Sequence, residues 1–227
     1  MAFFLILHSL LPSGERGKGK AYIELFVHIY VFLVPMKQNQ LLLLIFKDFT
    51  RDYNANSASK AVSMTPRGAL KILDNLFKDN SLVRKQLGKA KFYKINFNDE
   101  YTNKLIETIL MKEAKDKAKR WLSEFESLFQ NTESVIIFGS AIKNYEKAKD
   151  IDLVIITEKD NYKKVVKYID EKNNILTKPI HPIIMTLNEF EKNLSAKNPA
   201  MLNAVKEGYV LSGYDQIVRV IKNVTGF

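Results

Sequence analysis

Two short groups of residues in this 227-residue chain have the types and spacing to do chemistry: Gly139-Ser140, and Asp150 with Asp152 in the run Asp150-Ile151-Asp152-Leu153. Side chains alternate across a strand, so Asp150 and Asp152 face one side and can hold one or two divalent cations between them. Oxygen ligands of this kind suit Mg2+, which completes its shell with water and substrate phosphates. Gly139 lets the backbone approach a phosphate closely. Ser140 offers a hydroxyl and a backbone N–H at an expected helix start. Asp150 and Asp152 are therefore the candidate catalytic and metal-binding residues, and Gly139 and Ser140 the candidate nucleotide-binding residues. The chemistry they suit is a nucleoside triphosphate, such as ATP, held together with Mg2+.

These groups need rigid supports, and the flanking sequence supplies them. Val135 to Phe138 and Leu153 to Ile156 are short apolar runs of the kind that form buried strands, with Ile180 to Thr186 a third. Asn161 to Lys172 reads as a helix, Leu187 to Lys206 as helical with an interruption before Pro199, and Tyr214 to Lys222 as a last helix. Tyr209 to Leu211 is a short strand or packing element.

The succession of apolar strand, Gly139-Ser140, short helix and Asp150-x-Asp152 on the next strand resembles the polymerase-beta-like nucleotidyltransferase superfamily, specifically its minimal nucleotidyltransferases, from about Ser134 to Ser212. The resemblance implies a small α/β domain with a mixed sheet, in which the two aspartates bind the metals that hold the triphosphate. It also implies a third carboxylate on a later strand, which helps activate the attacking group. Here the sequence departs from the family. Ile180 to Thr186 contains no acid, and His181 stands near the expected position, either as a strand-end histidine beside Pro182 or as a ligand or proton-transfer group. Glu171 and Glu189 lie outside that strand, and the spacing favours neither. The departure bears on the chemical step more than on binding. Two functions stay open: transfer of a nucleoside monophosphate to an acceptor hydroxyl, as on a partner protein among antitoxin members of the family, or a non-catalytic transcriptional regulator whose domain senses nucleotide or mediates dimerisation.

Composition bounds the rest. Thirty-five Lys and Arg against 25 Asp and Glu give a net charge of +10, a balance that favours polyanionic partners such as nucleic acid. The absence of cysteine excludes disulfides, thiolate catalysis and cysteine-based zinc sites, and is compatible with a reducing cytoplasm.

Between Met36 and Asn96 the pattern is helical and ends in a hairpin. Helices are expected over Leu41–Phe49 and Ser57–Val62. A third begins at Thr65, which can cap, with Pro66 at the first helical position and Leu70, Leu73, Leu76 and Phe77 as its apolar stripe. Strands over 82–87 and 90–95 flank a turn at Gly88-Lys89. This segment resembles the winged helix-turn-helix domains of prokaryotic regulators. That resemblance implies double-stranded DNA as a partner, with Thr65, Arg67 and Lys71 near the recognition helix and Arg84, Lys89 and Lys91 in a basic wing.

The expected architecture is α+β: an atypical extension over 1–35, a winged helix domain over 36–97, one long connecting helix over 98–130 and a nucleotidyltransferase-like domain over 131–227. The extension carries two apolar stretches too short to cross a bilayer comfortably and no convincing secretion signal, and translation from Met36 is one reading of it. The expected partners are a nucleoside triphosphate, double-stranded DNA, a protein acceptor and a second copy of the chain, with no membrane association.

Overall fold

The computed structural model describes residues 36–226; the expectations for 1–35 lie outside the described residues. Three helices come first: α1 (Met36–Lys47), α2 (Ala55–Ala61) and α3 (Pro66–Lys78). Asn54 and Ser57 cap α2 reciprocally, which starts it two residues before the expected Ser57. Thr65 caps α3 by accepting from the Gly68 N–H, and Pro66 occupies the first turn as the sequence predicts. The core stripe of α3 is Ala69, Leu73 and Leu76, whereas Leu70 and Phe77 are exposed. The reason is visible for Phe77: the Arg84 guanidinium lies 4.2 Å over its ring and shields it in place of the core.

The antiparallel hairpin of β1 (Leu82–Leu87) and β2 (Ala90–Ile95) follows, turning at Gly88 with φ +59°. A single bridge from Tyr53 to Tyr93 adds a third short rung. Tyr53 and Tyr93 are buried, and their hydroxyls donate to Asp48 (2.7 Å) and Asp74 (2.8 Å).

The long connecting helix does not run unbroken. It divides into α4 (Glu100–Lys117), α5 (Lys119–Glu124) and a 3-10 turn, Glu126–Asn131. The break falls at Ala118, whose φ of −125° is not helical. Packing explains it. Leu105, Ile106, Ile109 and Leu110 of α4 face one apolar cluster, while Ala118, Trp121, Phe125 and Leu128 face another. A straight helix would not carry the chain from the first cluster to the second.

A four-stranded mixed sheet separates those clusters, in the order β5 (Ile180–Met185), β4 (Ile151–Ile156), β3 (Ser134–Phe138), β6 (Tyr209–Ser212). β4 runs parallel to β5 and antiparallel to β3, and β6 is antiparallel to β3. Ile136, Phe138, Val154 and Ile156 belong to the first cluster; Val135, Ile137, Leu153 and Ile155 belong to the second. This is the period-2 alternation of strands buried on both faces. Pro182 is tolerated because β5 lies at the sheet edge. Helix α6 (Tyr162–Asn173) covers the second face; α7 (Leu187–Ser195), α8 (Pro199–Glu207) and α9 (Tyr214–Thr225) cover the first. The first cluster extends without interruption from Leu41 and Phe46 of α1 to Ile221 of α9, so the helical unit and the sheet share one core. None of the described helices is long and apolar enough to cross a membrane.

Candidate functional site

The strand register decides which side chains meet. Phe138, at the end of β3, pairs with Asp152 on β4, and Asp152 pairs with His181 on β5. Alternation sends Asp152 to the same sheet face as Val154 and Ile156, and Asp150, one residue ahead of β4, shares that parity. Oxygens of Asp150 and Asp152 and a ring nitrogen of His181 lie within 4.8 Å of one another, the metal-ligating group found among the described residues. Nδ1 of His181 stands 3.3 Å from Oδ1 of Asp152; the imidazole is 69% exposed and the carboxylate 21%.

Gly139 ties this group to the turn after β3. Its φ is +79°, and a Cβ built there would fall 1.9 Å from Oδ2 of Asp152. The missing side chain is the space the carboxylate occupies. Gly139 therefore serves two needs at once, a left-handed backbone and close packing of an acid against the bend. Ser140 is exposed beside it.

Downstream of Ser140 the expected helix does not form. Residues 141–147 make two successive turns: the Ser140 carbonyl accepts from the N–H groups of Lys143 (3.1 Å) and Asn144 (3.0 Å), and the Asn144 side chain accepts from Lys147 N–H (3.3 Å). Asn144 thus competes for backbone donors, as Asn does in turns. The helix-dipole contribution to phosphate binding is consequently absent here. What remains is the backbone of the bend and the Ser140 hydroxyl.

Residues that the sequence did not single out hold this loop against the sheet. Lys178, just before β5, donates to the carbonyls of Glu146 and Ala148. Its ammonium also lies 5.0 Å from the Tyr145 ring centroid, while the Arg120 guanidinium lies 3.8 Å from the same ring. Tyr145 packs edge-on to Trp121, and its hydroxyl pairs with Thr177 at 3.0 Å. No spacing rule links 120, 145 and 178. The one available sequence signal was Tyr145, the aromatic residue between Gly139 and Asp150, and it does not point to its partners.

Neither outlying acid joins the group. Glu189 is engaged in the α7 cap, accepting from Thr186 N–H (2.8 Å) and its hydroxyl (2.9 Å), which hold its carboxyl below the usual range. Glu171 pairs with Lys167 on the surface of α6.

On the helical unit, Arg67, Lys71 and Lys89 are exposed and Lys91 half-buried, and none has a carboxylate partner among the described residues. Arg84 differs: it pairs with Asp74 of α3 at 3.4 Å. Lys94 pairs with Asp52 at 3.1 Å. The hairpin holds no acid of its own, but the fold brings two to its base.

The donor set fits a divalent cation. Two carboxylates supply charge, the Gly139 gap admits one of them to the bend, and an imidazole completes a third corner. Ligand atoms sharing one octahedral ion with bonds of about 2.1 Å stand about 3 to 4 Å apart, within a side-chain rotation of the observed separations.

No curated protein and no solved structure matches the chain. Residues 118–207 do match the family model described as a nucleotidyltransferase domain, a span from the helix break at Ala118 to the end of α8 that takes in Gly139, Ser140, Asp150, Asp152 and His181. With that match laid over this sheet and this bend, the chain carries a nucleotidyltransferase domain.

Proposed function

We propose that the chain is a DNA-binding regulatory protein whose nucleotidyltransferase domain binds a nucleoside triphosphate with a divalent cation and transfers its nucleoside monophosphate to an acceptor hydroxyl. The observation that carries this reading is the meeting of Asp150 with Asp152, whose carboxylate packs against the Gly139 bend. Asp150 and Asp152 hold the cation, which neutralises phosphate charge when bound. The backbone at Gly139 and the hydroxyl of Ser140 orient the phosphates. In the transfer, the acceptor oxygen bonds to the α-phosphorus, the bond from that phosphorus to the bridging oxygen breaks, and pyrophosphate leaves; the hydroxyl proton passes to solvent. The helical unit supports the DNA reading. Three helices are followed by a hairpin, the order expected of a winged helix, with Arg67 and Lys71 exposed on α3 and Lys89 and Lys91 at the hairpin tip without acidic partners among the described residues.

ATP labelled in its α-phosphate, with the divalent cation and either the protein alone or a cell extract, tests the transfer. Label is expected on an acceptor and is lost in Asp150→Asn and Asp152→Asn. The position of His181 favours a second reading, in which the domain senses nucleotide without transfer. Saturable nucleotide binding with no label under any condition selects it. For DNA, neutralising Arg84, Lys89 and Lys91 together weakens duplex binding and flattens its salt dependence. Unchanged affinity removes the hairpin from the interface.

A further inference from the structure

We propose that His181 is a direct nitrogen ligand of the Asp150–Asp152 cation site and that it turns the site toward first-row transition ions, with Mn2+ favoured over Mg2+. The inference rests on the reading that Asp150 and Asp152 hold a cation, and adds the third ligand and the class of ion.

Three observations support it. His181 lies directly across the parallel β4–β5 ladder from Asp152, so the pairing itself brings imidazole and carboxylate together. Its Nδ1 is 3.3 Å from Oδ1 of Asp152, and a ligand nitrogen stays within 4.8 Å of both carboxylates. The ring is 69% exposed, which leaves it room to turn toward an ion. Neither Glu171 nor Glu189 stands in the group that Asp150, Asp152 and His181 form.

Donor chemistry then sets the preference. Mg2+ is a hard ion that favours carboxylate, carbonyl and water and gives up its hydration reluctantly. Imidazole nitrogen binds first-row ions more strongly, and affinity rises from Mn2+ toward Cu2+. A site with three carboxylates suits Mg2+. Exchanging one of them for a neutral nitrogen removes a negative charge and adds a donor that Mg2+ uses poorly. Mn2+ takes both oxygen and nitrogen, still binds triphosphates, and reports its own ligands magnetically.

The test uses the full chain without nucleotide, titrated with Mn2+ and with Mg2+ by calorimetry, together with pulsed electron paramagnetic resonance of the Mn2+ complex. Wild type is expected to bind Mn2+ more tightly than Mg2+ and to show nitrogen modulation from a coordinated imidazole. His181→Ala should abolish that modulation and weaken Mn2+ at least about tenfold, since even loss of an outer partner of a metal ligand costs that much. Mg2+ affinity should hardly move in the same variant. His181→Asp should narrow the gap by strengthening Mg2+. Asp150→Asn should weaken both ions. If wild type lacks nitrogen modulation, or His181→Ala keeps its full Mn2+ affinity while Asp150→Asn loses binding, the cation site stands and the nitrogen ligand is overturned. If wild type binds neither ion, the reading of Asp150 and Asp152 fails, and the inference with it.

Discussion

Gly139 acts twice at one site, because its backbone and its missing side chain are both needed there. Gly139→Ala forces a left-handed φ on an L-residue, at a cost of about 1–3 kcal/mol, and pushes the Asp152 carboxylate off the bend. We expect a lower denaturation midpoint and a larger proportional loss of metal and nucleotide affinity. A variant that keeps its affinity would dissociate Asp152 from the bend. Sequence made Gly139, Ser140, Asp150 and Asp152 legible because glycine and alternating carboxylates have strict geometric meanings. Tyr145 and Lys178 were not legible: their meeting depends on how a turn folds over a strand that comes thirty residues later, about which local pattern carries no information. The buried phenols give a separate prediction. Burial first, then hydrogen bonds to Asp48 and Asp74, push Tyr53 and Tyr93 each up to about 12. Phenols in the unfolded chain titrate at about 10, so the fold holds these protons longer and their stabilisation is complete below that pH and lost as pH rises toward about 12. Lys47, lowered by burial, acts with the opposite sign over alkaline pH. The decisive comparison is therefore a difference: urea midpoints measured from neutral pH upward should fall less steeply in Tyr93→Phe than in wild type.

At the scale of elements, the loop between β3 and β4 is stabilised from outside rather than by its own helix. Lys178 satisfies two of its carbonyls, and Tyr145 is held between the Arg120 and Lys178 cations. Lys178→Met keeps the length of the side chain and removes those bonds. It should increase backbone amide exchange across 141–149 and weaken nucleotide binding, while the sheet amides of β3 and β4 stay protected. Uniform loss of protection would show that Lys178 supports the whole domain instead. The same scale shows what patterning can and cannot fix. The caps of α2 and α3 and the turn at Gly88 follow from local chemistry, and the third helix begins where Thr65 and Pro66 put it. The break at Ala118 does not, since alanine is the best helix former and nothing nearby forbids continuation. It arises because α4 and Trp121 serve opposite faces of the sheet, a tertiary demand that overrides propensity.

Across the whole molecule, the helical unit and the sheet are joined, among the described residues, by a continuous core and by a buried ion pair at the joint, beside a half-exposed one between Lys206 and Asp48. Lys47 at the end of α1 donates to Glu113 of α4 at 2.9 Å and to the Gly208 carbonyl, after α8, at 2.6 Å; both charged side chains are 8% exposed. Burial is the largest influence on Lys47 and lowers its pKa, even with Glu113 opposing the shift. The contact thus fixes how three elements meet, while adding less to stability than its distance suggests. Removing one partner leaves an ammonium without its counter-charge, so Glu113→Leu should cost about 3–5 kcal/mol, whereas Lys47→Met combined with Glu113→Leu should recover most of that loss. Urea unfolding of the four members of this cycle measures the coupling. Additive losses would show that the pair is not an energetic unit. The shared core makes a matching claim about cooperativity. Trp121 reports from the second cluster and far-ultraviolet dichroism from all the helices, and in wild type the two transitions should coincide. A ligand bound at Asp150 and Asp152 would then raise both midpoints together, because mass action on one site of a cooperative unit stabilises all of it. Separate midpoints, with only the Trp121 signal moved by Mn2+ and nucleotide, would show that the helical unit unfolds on its own and that the joint transmits nothing to it.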